Sequence, residues 1–82
     1  MKVQGRDITP EQIEACLQRM RAAPFEAFQI SHVAYESGVK PGDVAARLAD
    51  RLIQRERKAG TIVRSHLLWR PAQRTNAVAK ET

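Results

Sequence analysis

The sequence is poor in the residues that build disulfides, zinc sites and membrane spans. Among its 82 residues there is one cysteine, Cys16, which excludes an internal disulfide and leaves no cysteine pair for a zinc site. The first ten residues lack the apolar core of a signal peptide. No run approaches the roughly 18 apolar residues of a membrane span. We therefore expect a cytoplasmic protein without a membrane partner.

The sequence also lacks the motifs on which most catalytic and cofactor sites depend. There is no glycine-rich phosphate loop and no metal-binding pattern such as HExxH. His32 and His66 stand alone, without a recognisable set of partner ligands. A chain this short buries only about 60–65% of its unfolded surface, which leaves little room for a deep pocket. We expect no enzymatic activity, and therefore no catalytic residues, no metal and no cofactor.

Positive charge is concentrated in the second part of the chain. The formal net charge is +5, but residues 1–46 carry five basic and six acidic side chains. Residues 47–82 carry nine basic and three acidic ones, so all the excess lies there. Such segregation is typical of a surface that binds a polyanion. The alternative is a basic surface that only maintains solubility.

The first helix has a complete start signal. Thr9 is placed to cap it, Pro10 suits the first helical position, and Gln12 completes a capping box. Pro24 discourages continuation, so the helix should end at about residue 22 or 23. Its apolar residues follow helical spacing and predict a face packed on the core: Ile13, Cys16, Leu17 and Met20.

The next segment, residues 25–30, has the sequence FEAFQI and leaves two interpretations open. It is short, aromatic and partly alternating, as in a strand that pairs with a later hairpin. It also fits an apolar linker. Ser31 then predicts the cap of a second helix over about His32 to Ser37. Gly38 would follow that helix in a left-handed conformation.

A third, longer helix should begin at Gly42 or Asp43 and stop at Gly60. Twelve positions separate Leu48 from Gly60, so this helix is either extended by a turn or more, or broken. One face carries the apolar residues Val44, Ala45, Leu48, Ala49, Leu52 and Ile53. The opposite face carries Arg47, Arg51, Gln54 and Lys58 at positions i, i+4, i+7 and i+11.

Two short strands, 61–63 and 67–69, follow around residues 64–66, and Pro71 ends the second. The predicted fold is α+β, mainly α, with three helices and a short C-terminal β-hairpin. Residues 1–71 should form one domain. Residues 72–82 show no periodicity and predict a flexible C-terminal tail.

This pattern resembles the winged helix-turn-helix DNA-binding superfamily over roughly residues 8–71. The resemblance implies a third helix, about 43–59, in the major groove and a hairpin, about 61–70, on the DNA backbone. In that superfamily a small residue lets the second helix approach the third closely, a glycine permits the turn between them, and a valine and a leucine pack the third helix on the core. The residues that carry the resemblance are Ala34, Gly38, Val39, Val44 and Leu48, then residues 58–62 (KAGTI) and Trp69.

An α-helix fits the major groove, where arginine pairs with guanine and glutamine with adenine. The candidate contacts of the third helix are Lys40, Arg47, Arg51 and Gln54, with Lys58 as a phosphate contact. Those of the hairpin are Arg64 and His66, at the predicted tip, and Arg70. The alternative is a solvated face, in which Asp43 pairs with Arg47 and Asp50 pairs with Gln54 at i, i+4 spacing.

Double-stranded DNA is the expected partner, for a small transcriptional regulator or a DNA-associated accessory protein. Homodimerisation stays open, because dimers reach paired half-sites. One alternative is a winged-helix protein–protein interaction module without DNA binding, using an apolar patch around Phe25, Phe28 and Tyr35. RNA binding is a third hypothesis, although the sequence lacks interleaved aromatic residues for base stacking.

Overall fold

A computed structural model of the chain describes residues 1–65 and 67–72, so His66 and residues 73–82 lie outside the description. It confirms the predicted α+β, mainly α, architecture of three helices followed by an antiparallel hairpin. A second, short hairpin precedes the helices. The elements are β1 (Lys2–Val3), β2 (Arg6–Asp7), α1 (Pro10–Ala22), α2 (Ala27–Glu36), α3 (Gly42–Ala59), β3 (Ile62–Ser65) and β4 (Leu68–Pro71).

The predicted capping box opens α1. The Thr9 side chain accepts a hydrogen bond from the Gln12 amide at 3.1 Å, and the Gln12 side chain accepts one from the Thr9 amide at 3.0 Å. Two of the amides that a helix start leaves without partners are thereby satisfied. The Gln12 side-chain amide also donates to the Ser37 carbonyl at 3.2 Å. One residue therefore caps α1 and joins it to the end of α2.

The second helix begins earlier than predicted. Ala27 is its first residue and Glu26 its N-cap, whose amide donates to the Gln29 side chain at 2.8 Å. Ser31 lies inside the helix, with its hydroxyl donating to the Phe28 carbonyl at 2.9 Å. The prediction that Ser31 caps a helix starting at residue 32 is therefore wrong. A glutamine three residues after Glu26 supplies the start signal instead.

The segment 25–30 is divided between the two structures that its sequence left open. Phe25 is strand-like and forms an isolated antiparallel bridge with Trp69. Its amide donates to the Trp69 carbonyl at 2.9 Å, and the Trp69 amide donates back at 2.8 Å. From Ala27 onward the chain is helical. The strand interpretation therefore holds for Phe25 alone, which adds a third short chain segment to the C-terminal hairpin.

Gly38 and Gly60 end α2 and α3 in the same way. Both have positive φ, 108° and 82°, a conformation that costs glycine little. After α2, the Gly38 amide donates to the Tyr35 carbonyl, and the next amide donates to Ala34. The Gly60 and Thr61 amides make the equivalent bonds after α3. These are Schellman motifs, and both predicted stop signals are confirmed.

The core lies between the three helices, and α3 forms its largest wall. This helix is continuous over 18 residues, so the extended alternative is the correct one. Trp69 is partly buried and packs against the core. None of the described helices has the length and apolarity needed to cross a membrane. The predicted apolar face of α3 is buried throughout: Val44, Ala45, Leu48, Ala49, Leu52 and Ile53.

The C-terminal hairpin is longer than predicted and shifted along the sequence. Ile62 pairs with Pro71, and Ser65 pairs with Leu68. Residues 64 and 65 are therefore part of β3, whereas the sequence placed them in the loop. Pro71 ends β4, as predicted.

The N-terminal hairpin was not predicted. Gln4 and Gly5 form its two-residue turn, and their φ angles of 50° and 79° are those of a type I′ turn. Val3 and Ile8 are buried in the core, at 2% and 4% exposure. The hairpin is therefore fixed on the helices, and its position beside α3 shapes the surface described next.

Candidate nucleic-acid interface

The outward face of α3 carries a stripe of polar side chains. Arg47, Arg51, Gln54 and Lys58 are all exposed, because the apolar residues between them are buried in the core. All four border one open groove of about 600 Å³, whose other wall is the N-terminal hairpin. The structure therefore brings together four of the predicted site residues. The remaining lining residues are Met1, Val3, Gln4, Asp50 and Arg55.

The positive charge of this groove is only slightly neutralised. Among the described residues, neither Arg47 nor Lys58 forms an ion pair. The pairing of Asp43 with Arg47 is not formed, and an Asp43 carboxylate oxygen accepts the Val44 amide at 3.1 Å. Of the described cations that line the groove, Arg55 alone forms an ion pair, with Glu56 at 3.3 Å. The stripe therefore presents cations that are available to an anionic ligand.

Gln54 also lacks the predicted interaction with Asp50. Its side-chain oxygen accepts a hydrogen bond from the Arg57 guanidinium at 3.0 Å. Asp50 lines the groove as its one acidic residue. Bidentate recognition of adenine needs both the oxygen and the NH₂ group of a glutamine. The bond from Arg57 uses one lone pair of the Gln54 oxygen, so the second lone pair and the NH₂ group are left for such a contact.

Arg51 joins α3 to the N-terminal hairpin. Its guanidinium donates to the Lys2 carbonyl at 3.0 Å. An arginine has five N–H donors, so this bond leaves others for a ligand. The hairpin wall of the groove was missed in the sequence. Its signal is the Gln4-Gly5 pair, since a glycine in the second position of a two-residue loop favours a hairpin.

Lys40 lies outside the groove. Its ammonium group is 4.9 Å from the centre of the Tyr35 ring, a cation–π contact. It borders a smaller depression of about 110 Å³ near the start of α3, together with Arg6 and Gln12. The structure therefore separates this predicted site residue from the stripe.

The basic residues of the C-terminal hairpin lie on opposite faces. Arg64 is in β3 opposite Trp69, and its guanidinium lies 5.3 Å from the centre of the Trp69 ring. The prediction that Arg64 sits at the tip is wrong, since β3 continues to Ser65. Arg70 is exposed and adjacent to Trp69, and side chains alternate along a strand. The two arginines therefore point to different sides. His66 lies outside the described residues.

The outward face of α2 carries two exposed aromatic side chains. Phe28 is 65% exposed and Tyr35 is 44% exposed, and their spacing of seven places them on one side of the helix. They border an open groove of about 630 Å³. Phe25, the third member of the predicted apolar patch, is fully buried. That part of the prediction is wrong, because the Phe25 backbone pairs with Trp69 and places its side chain in the core.

The single thiol is inside the protein. Cys16 has no exposed surface, and burial raises its pKa from 9.0 to about 11, because the thiolate would lose its hydration. In the unfolded chain the Cys16 thiol has its ordinary pKa, so it ionises at a lower pH than it does in the folded protein. The contribution of Cys16 to stability is therefore complete below about pH 9 and decreases as the pH rises toward about 11.

This burial predicts slow alkylation of Cys16. We expect iodoacetamide at pH 8 to leave the folded protein unmodified over a time in which the urea-unfolded protein reacts fully, as measured by mass spectrometry. Equal rates in the two states would contradict the buried position.

No group of three or more His, Cys, Asp or Glu residues in the described part of the chain is arranged to hold a metal ion. The chain matches no protein-family model, no curated protein and no solved structure.

Proposed function

We propose that this protein is a winged helix-turn-helix domain that binds double-stranded DNA, as a small transcriptional regulator or a DNA-associated accessory protein of the cytoplasm. The observation that carries the proposal is the stripe on α3. Arg47 and Lys58 are exposed cations without acidic partners among the described residues, and Arg51 lies between them. A row of basic side chains along one helix face is the electrostatic footprint of a nucleic-acid-binding protein.

The α3 helix is the element that would enter the major groove, whose width of about 12 Å admits one α-helix. Residues near the N-terminal end of such a helix contact base edges. Arg47 is the stripe residue closest to that end, and its guanidinium has no hydrogen bond or ion pair with any residue that the structure describes. We therefore assign base contact to Arg47, with Gln54 as a second candidate.

The other predicted contacts would bind phosphates and position the duplex. Lys40 is near the start of α3, where a flanking phosphate would lie. Because Arg64 and Arg70 lie on opposite faces of the hairpin, only one of them would face a given backbone strand. The proposal includes no catalytic activity.

A titration of labelled protein with a mixed-sequence duplex of 16 base pairs, at two salt concentrations, tests the proposal. We expect NMR shifts in residues 47–58 and in one face of the C-terminal hairpin. About four phosphate contacts would give a slope of about −3.6 in log K against log salt, so a fourfold rise in salt would weaken binding about 150-fold. An RNA duplex of the same length serves as the comparison. No shifts at low salt would contradict the proposal.

A second candidate function is a protein–protein interaction module without DNA binding. The exposed Phe28 and Tyr35 on one face of α2 favour it, since exposed aromatic residues are enriched at protein interfaces. The same titration separates the two functions. A duplex affinity that is negligible even at low salt would support this candidate. Homodimerisation remains a prediction that sedimentation with and without the duplex would test.

A further inference from the structure

The N-terminal hairpin gives the groove beside α3 a second wall. Val3 anchors this wall in the core, and Gln4 at the turn is exposed. The hydrogen bond from Arg51 to the Lys2 carbonyl fixes the wall against the helix. Across the groove lie the cations of α3: Arg47, Arg51, Arg55 and Lys58. The groove is therefore a fixed, mainly cationic channel, with Asp50 as the one acidic residue in its lining.

The length of α3 determines which part of a duplex can reach this channel. Its 18 residues span about 27 Å, more than twice the major-groove width of about 12 Å. Lys58 lies 11 positions after Arg47, which is about 16 Å along the helix. If α3 crosses the groove with Arg47 at a base edge, Lys58 lies beyond the groove. It then lies at the rim, where the sugar–phosphate backbone runs.

We propose that the N-terminal hairpin is a second DNA-contacting element. The channel between it and the C-terminal half of α3 holds the phosphodiester backbone that flanks the major groove. Lys58 supplies unpaired positive charge, and Arg55 adds a charge that Glu56 partly neutralises at 3.3 Å. Arg51 donates to the phosphate with the N–H groups that Lys2 does not use, and Gln4 lines the opposite side. This inference rests on the proposed function and assigns separate roles to two parts of the surface. Arg47 contacts base edges, and the channel binds phosphates whatever the base sequence.

Lys58→Gln and Arg57→Gln form a matched pair that tests the channel. Both replace an exposed cation with glutamine in the last turn of α3, but Arg57 does not line the channel. We expect Lys58→Gln to reduce the steepness of the salt dependence by about 0.9. That change corresponds to about 8-fold weaker binding at 0.1 M salt, for every duplex sequence. Arg57→Gln also removes the hydrogen bond to Gln54, but Gln54 is uncharged, so this variant should leave the slope unchanged.

An NMR titration of the unaltered protein with the same duplex supplies a second readout. We expect the backbone amides of Val3, Gln4 and Gly5 to shift together with those of α3. The duplex could bind while the signals of these amides do not shift and the two variants give the same salt slope. In that case the channel is not a DNA site, and the proposed function stands. If the duplex does not bind at low salt, both proposals fail.

Discussion

Replacing Arg47 and Arg51 together with alanine is expected to weaken duplex binding by about 30- to 1,000-fold. Losing an arginine base contact costs about 1–3 kcal/mol, and losing one phosphate contact costs about 1 kcal/mol at 0.1 M salt. The combined loss of about 2–4 kcal/mol corresponds to the expected range. Fluorescence anisotropy with a labelled duplex at fixed salt measures the change. The Arg47→Ala variant alone should lose sequence preference, because Arg47 is assigned to a base contact.

The matched control is Arg19→Ala with Arg21→Ala, which removes the same charge from α1. Arg21 pairs with Glu14 at 3.4 Å, and Arg19 donates to the Ala23 carbonyl at 3.1 Å, so neither lies in the α3 stripe. Circular dichroism must show that both double variants are folded, since Arg51→Ala also removes the bond to Lys2. Equal weakening by the two double variants would mean that net charge, and not the α3 stripe, determines binding.

Phe25→Ala should lower the free energy of unfolding by about 3–5 kcal/mol, the usual cost of removing a buried phenylalanine ring. The Phe25 side chain has no exposed surface and belongs to the core. Domains of this size have a total stability of about 5–15 kcal/mol, so the variant would be close to unfolding. Urea denaturation followed by circular dichroism measures the loss.

Phe28→Ala is the control, because it makes the same substitution three residues further on. Phe28 is 65% exposed, and a surface substitution of this kind changes stability by about 0.5 kcal/mol or less. A similar loss in the two variants would contradict the division of segment 25–30 into a buried strand residue and an exposed helix residue.

Local signals made α1 and α3 predictable. Each of these signals determines the structure of residues close to it in the sequence. They are the capping box at Thr9, the apolar stripe from Val44 to Ile53 and the terminal Gly60. The start of α2 was missed because its cap, Glu26, is not a preferred capping residue, whereas Ser31 is. The different burial of Phe25 and Phe28 follows from the pairing with Trp69, which is distant in the sequence.

The candidate site was predictable only where it follows helical spacing. The i, i+4, i+7, i+11 pattern located the stripe on one face of α3, and the structure places those four residues in one groove. The groove's second wall and the contact of Lys40 with Tyr35 depend on tertiary packing. In the C-terminal hairpin, Arg64 and Arg70 were grouped because their register was unknown. The face of every strand residue depends on that register.

The bridge between Phe25 and Trp69 closes a chain loop that contains all of α2 and α3. The ends of this loop are separated by about half of the chain, so the entropy of closing it must be spent before this non-local contact contributes any stability. We therefore expect this closure to come late in folding, after local helical contacts. Trp69 is the only tryptophan. Its intrinsic fluorescence therefore reports loop closure, and circular dichroism of the same sample reports the helices.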